Sequence, residues 1–121
     1  MKQHLVLVVE DDTDIREALM DSLNENGCEA VGAPNGVAAL KYLATADPLP
    51  CLILLDLMMP VMDGQAFREA QLQDPRIAHI PIVVVSAYRD VQSNAEKLRA
   101  AAFLKKPPKL EDVMNVVGAH C

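Results

Sequence analysis

The 121-residue chain is 51% hydrophobic and carries 11 basic against 17 acidic residues, a formal charge of −6 at pH 7. That length supports one hydrophobic core and not two, and an acidic chain with only Tyr42, Phe67, Tyr88 and Phe103 as aromatics is a poor nucleic-acid binder. No apolar run nears the ~20 residues of a membrane span, and no charged-then-apolar leader opens the chain.

Leu5–Val9 is an apolar, β-branched run that reads as a strand, and it ends in Glu10-Asp11-Asp12. Three acidic residues exceed what helix capping needs, although one of them, or Thr13, caps the helix that follows. Ile15, Ala18, Leu19, Ser22 and Leu23 share one face of that helix, with Gly27 placed to stop it. Cys28–Ala33 reads as a second strand, and Asn35 as the cap of a helix carrying Val37, Leu40 and Ala44. After the Asp47-Pro48-Leu49-Pro50 loop comes Cys51–Leu55, a continuous apolar run that stops at Asp56. Such runs are buried on both faces inside parallel sheets.

Pro60 and Gly64 shape the loop beyond Asp56, and Ala66, Phe67 and Ala70 mark a third helix. Ile80–Val85 is the fourth strand, with Pro81 near its start, where a strand tolerates it. It ends at Ser86-Ala87. Val91, Ala95 and Leu98 mark a short fourth helix, and Ala101–Leu104 a fifth strand ending at Lys105-Lys106-Pro107-Pro108. Leu110, Val113, Met114 and Val117 give the final helix an i, i+3, i+4, i+7 stripe. Strict alternation of strand and helix assigns a parallel α/β sheet.

Open α/β sheets place their chemistry beyond the carboxyl ends of the strands. Here those ends carry carboxylates after the first strand, Asp56 on the third, Ser86 on the fourth and lysine on the fifth. The three cysteines (Cys28, Cys51, Cys121) stand at unrelated spacings, which argues against a disulfide framework or zinc site and for a reducing compartment. Cys51 is expected to be inert core packing. His4, His79 and His120 are isolated and read as structural or exposed. Met58, Met59 and Met62 read as loop packing, with no thiolate or imidazole beside them to make a soft-metal site.

Four segments, Val-Val-Glu-Asp-Asp (8–12), Leu-Leu-Asp-Leu-Met-Met-Pro-Val-Met-Asp-Gly (54–64), Val-Val-Ser-Ala (84–87) and Phe-Leu-Lys-Lys-Pro (103–107), carry a resemblance. In that order they resemble the receiver domain of bacterial two-component response regulators, from about Lys2 to Val117. The resemblance implies a flavodoxin-like (βα)5 fold, a doubly wound parallel sheet in the strand order 2-1-3-4-5, with a single receiver domain over residues 1–121. In that order Glu10, Asp11 and Asp56 converge in one pocket. Clustered carboxylates repel one another and favour a hard divalent cation, for which Mg²⁺ is suited. By resemblance Asp11 and Asp56 are direct ligands, Glu10 holds a metal-bound water, and the Met58 backbone carbonyl completes the shell.

Asp56 is then the nucleophile, taking a phosphoryl group as an acyl phosphate. Lys106 neutralises charge on the transferring group, and Ser86 donates its hydroxyl to a phosphoryl oxygen. Pro107 follows Lys106 as the family's pattern requires, which leaves Lys105 as a solvated neighbour; Asp12 reads as a helix cap. The chemistry is limited to the domain's own phosphorylation and slow autodephosphorylation.

Phe103 stands three residues before Lys106, where the family carries its switch aromatic. The expectation is that Ser86 is drawn to the phosphate and Phe103 turns inward, reshaping the surface of the last two strands and last two helices. Tyr88 is expected at the pocket rim, where its bulk would slow hydrolysis. The implied partners are a sensor histidine kinase or histidine phosphotransfer domain and a downstream protein target, in the cytoplasm, with no direct nucleic-acid or membrane contact. Self-association through the last two helices is compatible with the resemblance, and nothing in the residues requires it.

Arg99 departs from the pattern, since the turn into the fifth strand often carries glycine. The chain reaches Cys121 directly after the last helix, so it is expected to be either a stand-alone receiver or a piece of a larger regulator or hybrid kinase. Competing classes fit less well. A flavodoxin-type FMN binder needs a hydroxyl- and glycine-rich phosphate loop where Glu10–Asp12 stand. A haloacid-dehalogenase-type phosphatase needs a second Asp where Met58 stands. A non-phosphorylated receiver-like binding module is the remaining alternative.

Overall fold

Side-chain alternation along the apolar runs sorts the core into two layers, one on each face of a sheet. A computed structural model of the chain describes residues 4–57, 61–87 and 98–121. In it Leu7, Val9, Ile53, Leu55, Ile82 and Val84 pack on one face with Ala39, Leu43 and Phe67. Val6, Val8, Leu52, Leu54, Val83 and Val85 pack on the other with Leu19, Leu23, Val113 and Val117. Neighbouring residues of one strand thus serve opposite layers, which is why these strands read as unbroken apolar runs.

The elements are β1 (His4–Val9), α1 (Thr13–Glu25), β2 (Cys28–Ala33), α2 (Gly36–Thr45), β3 (Leu52–Asp56), α3 (Gly64–Leu72), β4 (Ile82–Ser86), β5 (Ala102–Lys105) and a final helix, α4 (Leu110–His120). All strand pairings are parallel, and the order is β2-β1-β3-β4-β5. This is the expected doubly wound, flavodoxin-like arrangement, with β1 and β3 adjacent. The helix expected at Val91–Leu98 falls outside the described residues except for Leu98, which is buried in a turn.

The starts of α1, α2 and α3 are set by side chains that satisfy otherwise unpaired backbone donors. Asp12 accepts from the Ile15 N–H at 3.0 Å, Asn35 from Ala38 at 2.8 Å and Asp63 from Ala66 at 2.8 Å. Gly27 follows α1 with φ 85°, the left-handed conformation that ends helices most easily in glycine.

Two expectations need correction. β4 begins at Ile82, not Ile80; Pro81 has no N–H for the ladder, and Ile80 is instead buried in a turn whose carbonyl accepts from Gln71. Cys51 and Cys121 are joined by a disulfide, and Cys51 is only partly buried. The start of β3 and the end of α4 lie at the same pole of the domain, a proximity that chain spacing does not show. Cys28 is free and buried.

Candidate functional site

The polar residues at the strand ends meet above the sheet. Glu10 directly follows β1 and Asp56 is the last residue of β3; since Val9 pairs with Leu55, the two carboxylates are laterally adjacent. Both are buried, with 2% and 4% of their surfaces exposed. Ser86 closes β4, also buried, and its carbonyl accepts from the Lys106 N–H at 3.0 Å. That bond extends the β4–β5 ladder by one residue and fixes where the Lys106 side chain begins.

From there the Lys106 ammonium reaches across the sheet end. It donates to Asp56 Oδ2 at 3.1 Å and forms an ion pair with Glu10 Oε1. Lys105 is exposed, and of the two adjacent lysines it is Lys106 whose side chain enters the pocket. Burial opposes the Lys106 charge, but the Glu10 and Asp56 carboxylates more than offset it and hold its pKa above the ordinary lysine value.

Glu10 shows the cost of crowding carboxylates. Burial, reinforced by its hydrogen bond and charge repulsion with Asp56, raises its pKa from 4.5 to about 7, against the pull of Lys106. Asp11 completes the group from an exposed position, and oxygens of Glu10, Asp11 and Asp56 lie within 4.8 Å of one another. An all-oxygen, acidic donor set of this kind fits a hard divalent cation. Asp12 turns away to cap α1. Met58 and Tyr88 lie outside the described residues.

Several residues support the site through contacts that local sequence does not reveal. Arg16, in the first turn of α1, donates from Nη1 to the Glu10 carbonyl at 2.7 Å and pins the end of β1. Gly64 starts α3 so close to β3 that a Cβ would stand 3.0 Å from Leu57 Cα and 3.2 Å from the Asp56 carbonyl oxygen. Its N–H donates to the Leu57 carbonyl at 3.1 Å, so the glycine closes the loop beneath Asp56. Buried Arg68 on α3 donates to the carbonyls of Leu98 (2.9 Å) and Arg99 (3.1 Å) and to Gln71 Oε1 at 2.7 Å. The expected turn anomaly is at Arg99, with φ 56°. A helical position for Arg68 gives no hint of partners some thirty residues away.

Among the described residues no helix is long and apolar enough to cross a membrane. Residues 6–118 match the family model described as "Response regulator receiver domain". The chain is 37% identical over 117 residues to the response regulator protein FleR of Pseudomonas aeruginosa, covering 95% of this chain and 24% of FleR. It is 40% identical over 107 residues to the sensor histidine kinase TmoS of Ectopseudomonas mendocina, covering 87% of this chain and 11% of TmoS. The chain therefore spans a quarter or less of either relative. A crystal structure of a response regulator receiver protein from Pseudomonas putida superposes with a TM-score of 0.88 at 32% identity, covering 98% of both chains. By sequence, fold and the constellation at its strand ends, the chain belongs to the receiver domains of two-component response regulators.

Proposed function

We propose that Asp56 is the phosphoacceptor of this receiver and that residues 1–121 act as one signalling unit. The observation that carries this is the Lys106 ammonium held between Asp56 and Glu10 at the end of the sheet. In the reaction an Asp56 carboxylate oxygen attacks the phosphorus of a phosphohistidine on a sensor kinase or histidine phosphotransfer domain. The O–P bond forms as the P–N bond breaks in line, and the leaving imidazole nitrogen takes up a proton from solvent. Lys106 lies where negative charge gathers on the transferring oxygens and neutralises it at fixed geometry. Ser86, buried at the end of β4, donates its hydroxyl to a phosphoryl oxygen.

Glu10, Asp11 and Asp56, with the Met58 carbonyl, would hold magnesium, which when bound supplies positive charge between the carboxylates and the incoming phosphate. Slow hydrolysis of the acyl phosphate by water completes the domain's own chemistry, and Tyr88 is assigned the role of slowing it.

Output follows from Ser86 and Phe103. Phe103 lies on β5, level with Val84 of β4, and is 37% exposed. The phosphate draws Ser86 toward itself and Phe103 turns inward behind it. The groove beside it, about 520 Å³ and lined by Phe103, Lys105, Lys109, Asp112 and Val116, changes shape and is read by a downstream protein. An activated structure with Phe103 unmoved would defeat this switch. A cytoplasmic location goes with the reading. Matching segments in both FleR and TmoS are compatible with a chain that serves a larger regulator or kinase.

The test is intact mass after incubation with acetyl phosphate and Mg²⁺, beside Asp56→Asn. A single metal-dependent phosphoryl adduct, absent in the variant, is expected. No adduct, or one that survives Asp56→Asn, would leave a receiver-like binding module or a different acceptor.

A further inference from the structure

A second cluster of ligating side chains lies at the opposite pole of the sheet from the acidic pocket. His4 opens β1, Cys51 immediately precedes β3, and Cys121 follows α4. β1 and β3 are adjacent and parallel, so their N-terminal ends share one edge. His4 alternates in phase with Val6 and Val8, which face the layer that holds α4 through Val113 and Val117. An imidazole nitrogen of His4 and the two sulfurs lie within 4.8 Å of one another. Cys51 Sγ also lies 3.3 Å from the Leu5 carbonyl oxygen, a contact in which only the thiol has a proton to give.

The donor chemistry is the reverse of the acidic pocket. One imidazole and two thiolates suit a borderline-soft cation such as zinc and suit magnesium poorly. With bonds of about 2.0–2.3 Å in a tetrahedral shell, neighbouring donors stand about 3.3–3.8 Å apart. Reducing the Cys51–Cys121 disulfide lets the sulfurs separate toward that spacing, with the His4 nitrogen already within reach. His4 and Cys121 are exposed, so a cation can enter from solvent and the fourth position stays open to water.

We propose that the reduced protein binds one zinc-class divalent cation through His4, Cys51 and Cys121, and that the disulfide is the competing state of the same site. Binding deprotonates both thiols, releases two protons and forms two metal–sulfur bonds and one metal–nitrogen bond. The competing oxidation is thiol–disulfide exchange with a small-molecule disulfide. Two protein thiols form the Cys51–Cys121 bond, and the two electrons and two protons convert the small-molecule disulfide to two thiols. The disulfide ties the end of α4 to the start of β3, and the metal-bound state would tie in the start of β1 as well through His4.

The test uses the whole chain, reduced with a phosphine, desalted without oxygen and titrated with Co²⁺ alone and then Zn²⁺. One equivalent of Co²⁺ should give thiolate-to-cobalt charge-transfer absorption with tetrahedral d–d bands, and Zn²⁺ should abolish both. His4→Ala, at an exposed position that leaves the core intact, and Cys121→Ser should each weaken Zn²⁺ binding by at least the 10- to 100-fold of a lost outer-shell partner. Protein oxidised with glutathione disulfide should show no band, whereas Asp56→Asn and Cys28→Ser should keep it. Absence of the band in reduced protein, its survival at full affinity in His4→Ala or Cys121→Ser, or its loss in Cys28→Ser would each overturn the proposal.

Discussion

Lys106 and Asp56, fifty residues apart in the chain, meet at 3.1 Å at the ends of β5 and β3, and the same ammonium pairs with Glu10. One cation thus serves two buried carboxylates, and removing it acts on both. Lys106→Met keeps an apolar stem and deletes the charge. The Glu10 carboxyl, already raised to about 7, should then titrate higher still, because a group that lowers its pKa is gone. Labelling of Asp56 by acetyl phosphate should slow by about 10²-fold, the scale of losing one positioned electrostatic donor. Carboxyl NMR titration and the labelling rate check the two effects separately. An unchanged Glu10 titration would show that Lys106 does not hold this pair in solution.

Glu10 also sets a pH dependence for the metal-free protein. The folded state retains its proton up to about pH 7, whereas the ordinary carboxyl releases it near 4.5. Folding stability from this group is therefore complete below about 4.5 and is lost as the pH rises toward 7. At about 1.4 kcal/mol per unit the loss is at most about 3–4 kcal/mol. A divalent cation stabilises the ionised form and should flatten the profile, and Glu10→Gln should remove this part of it altogether. Urea unfolding at pH 5 and 7.5, with and without Mg²⁺, measures both. Stability that rises between those values in metal-free protein through Glu10 would contradict the assignment.

The strand ends were legible because a parallel sheet covered on both faces writes itself as apolar runs, and each run stops where the backbone leaves the core. Asp56, Ser86 and Lys106 stand at those stops. The helix caps Asp12 and Asn35 were equally local signals. What stayed hidden joins elements that only the folded chain brings together. Arg68 reaches Leu98 and Arg99 across thirty residues, and Cys51 reaches Cys121 across seventy. Neither spacing has a periodicity or motif to betray it. Gly64 was visible as a turn residue, but its closeness to the Asp56 carbonyl depends on how α3 leaves β3.

That closeness makes Gly64→Ala a sensitive change. The added Cβ meets Leu57 Cα and the Asp56 carbonyl, both backbone, at 3.0 and 3.2 Å. A flexible side chain could yield there; a backbone at the end of a central strand yields less. The expected destabilisation is about 1–3 kcal/mol, as for overpacking. Because the strain falls on Asp56 itself, phosphoryl labelling should fall more than stability does. Comparing the denaturant midpoint with the labelling rate separates the two effects, and wild-type values for both would show that the loop relaxes freely.

Arg99 invites the opposite substitution. Its φ of 56° places a Cβ in the left-handed region, which costs about 1–2 kcal/mol for a residue with a side chain. Its charge also adds to burial in lowering the pKa of Arg68, whose guanidinium holds the Arg99 and Leu98 carbonyls. Arg99→Gly relieves both penalties and gives back about 0.4–1 kcal/mol through the freer unfolded chain. The net expectation is a stabilisation of about 0.5–1 kcal/mol, with Asp56 labelling unchanged. Arg68→Ala should do the reverse, costing about 1–3 kcal/mol by leaving carbonyls at the entry to β5 without their donor. Urea midpoints of the two variants decide the matter, and a lower midpoint for Arg99→Gly would mean that the arginine side chain contributes more to this turn than its backbone strain removes.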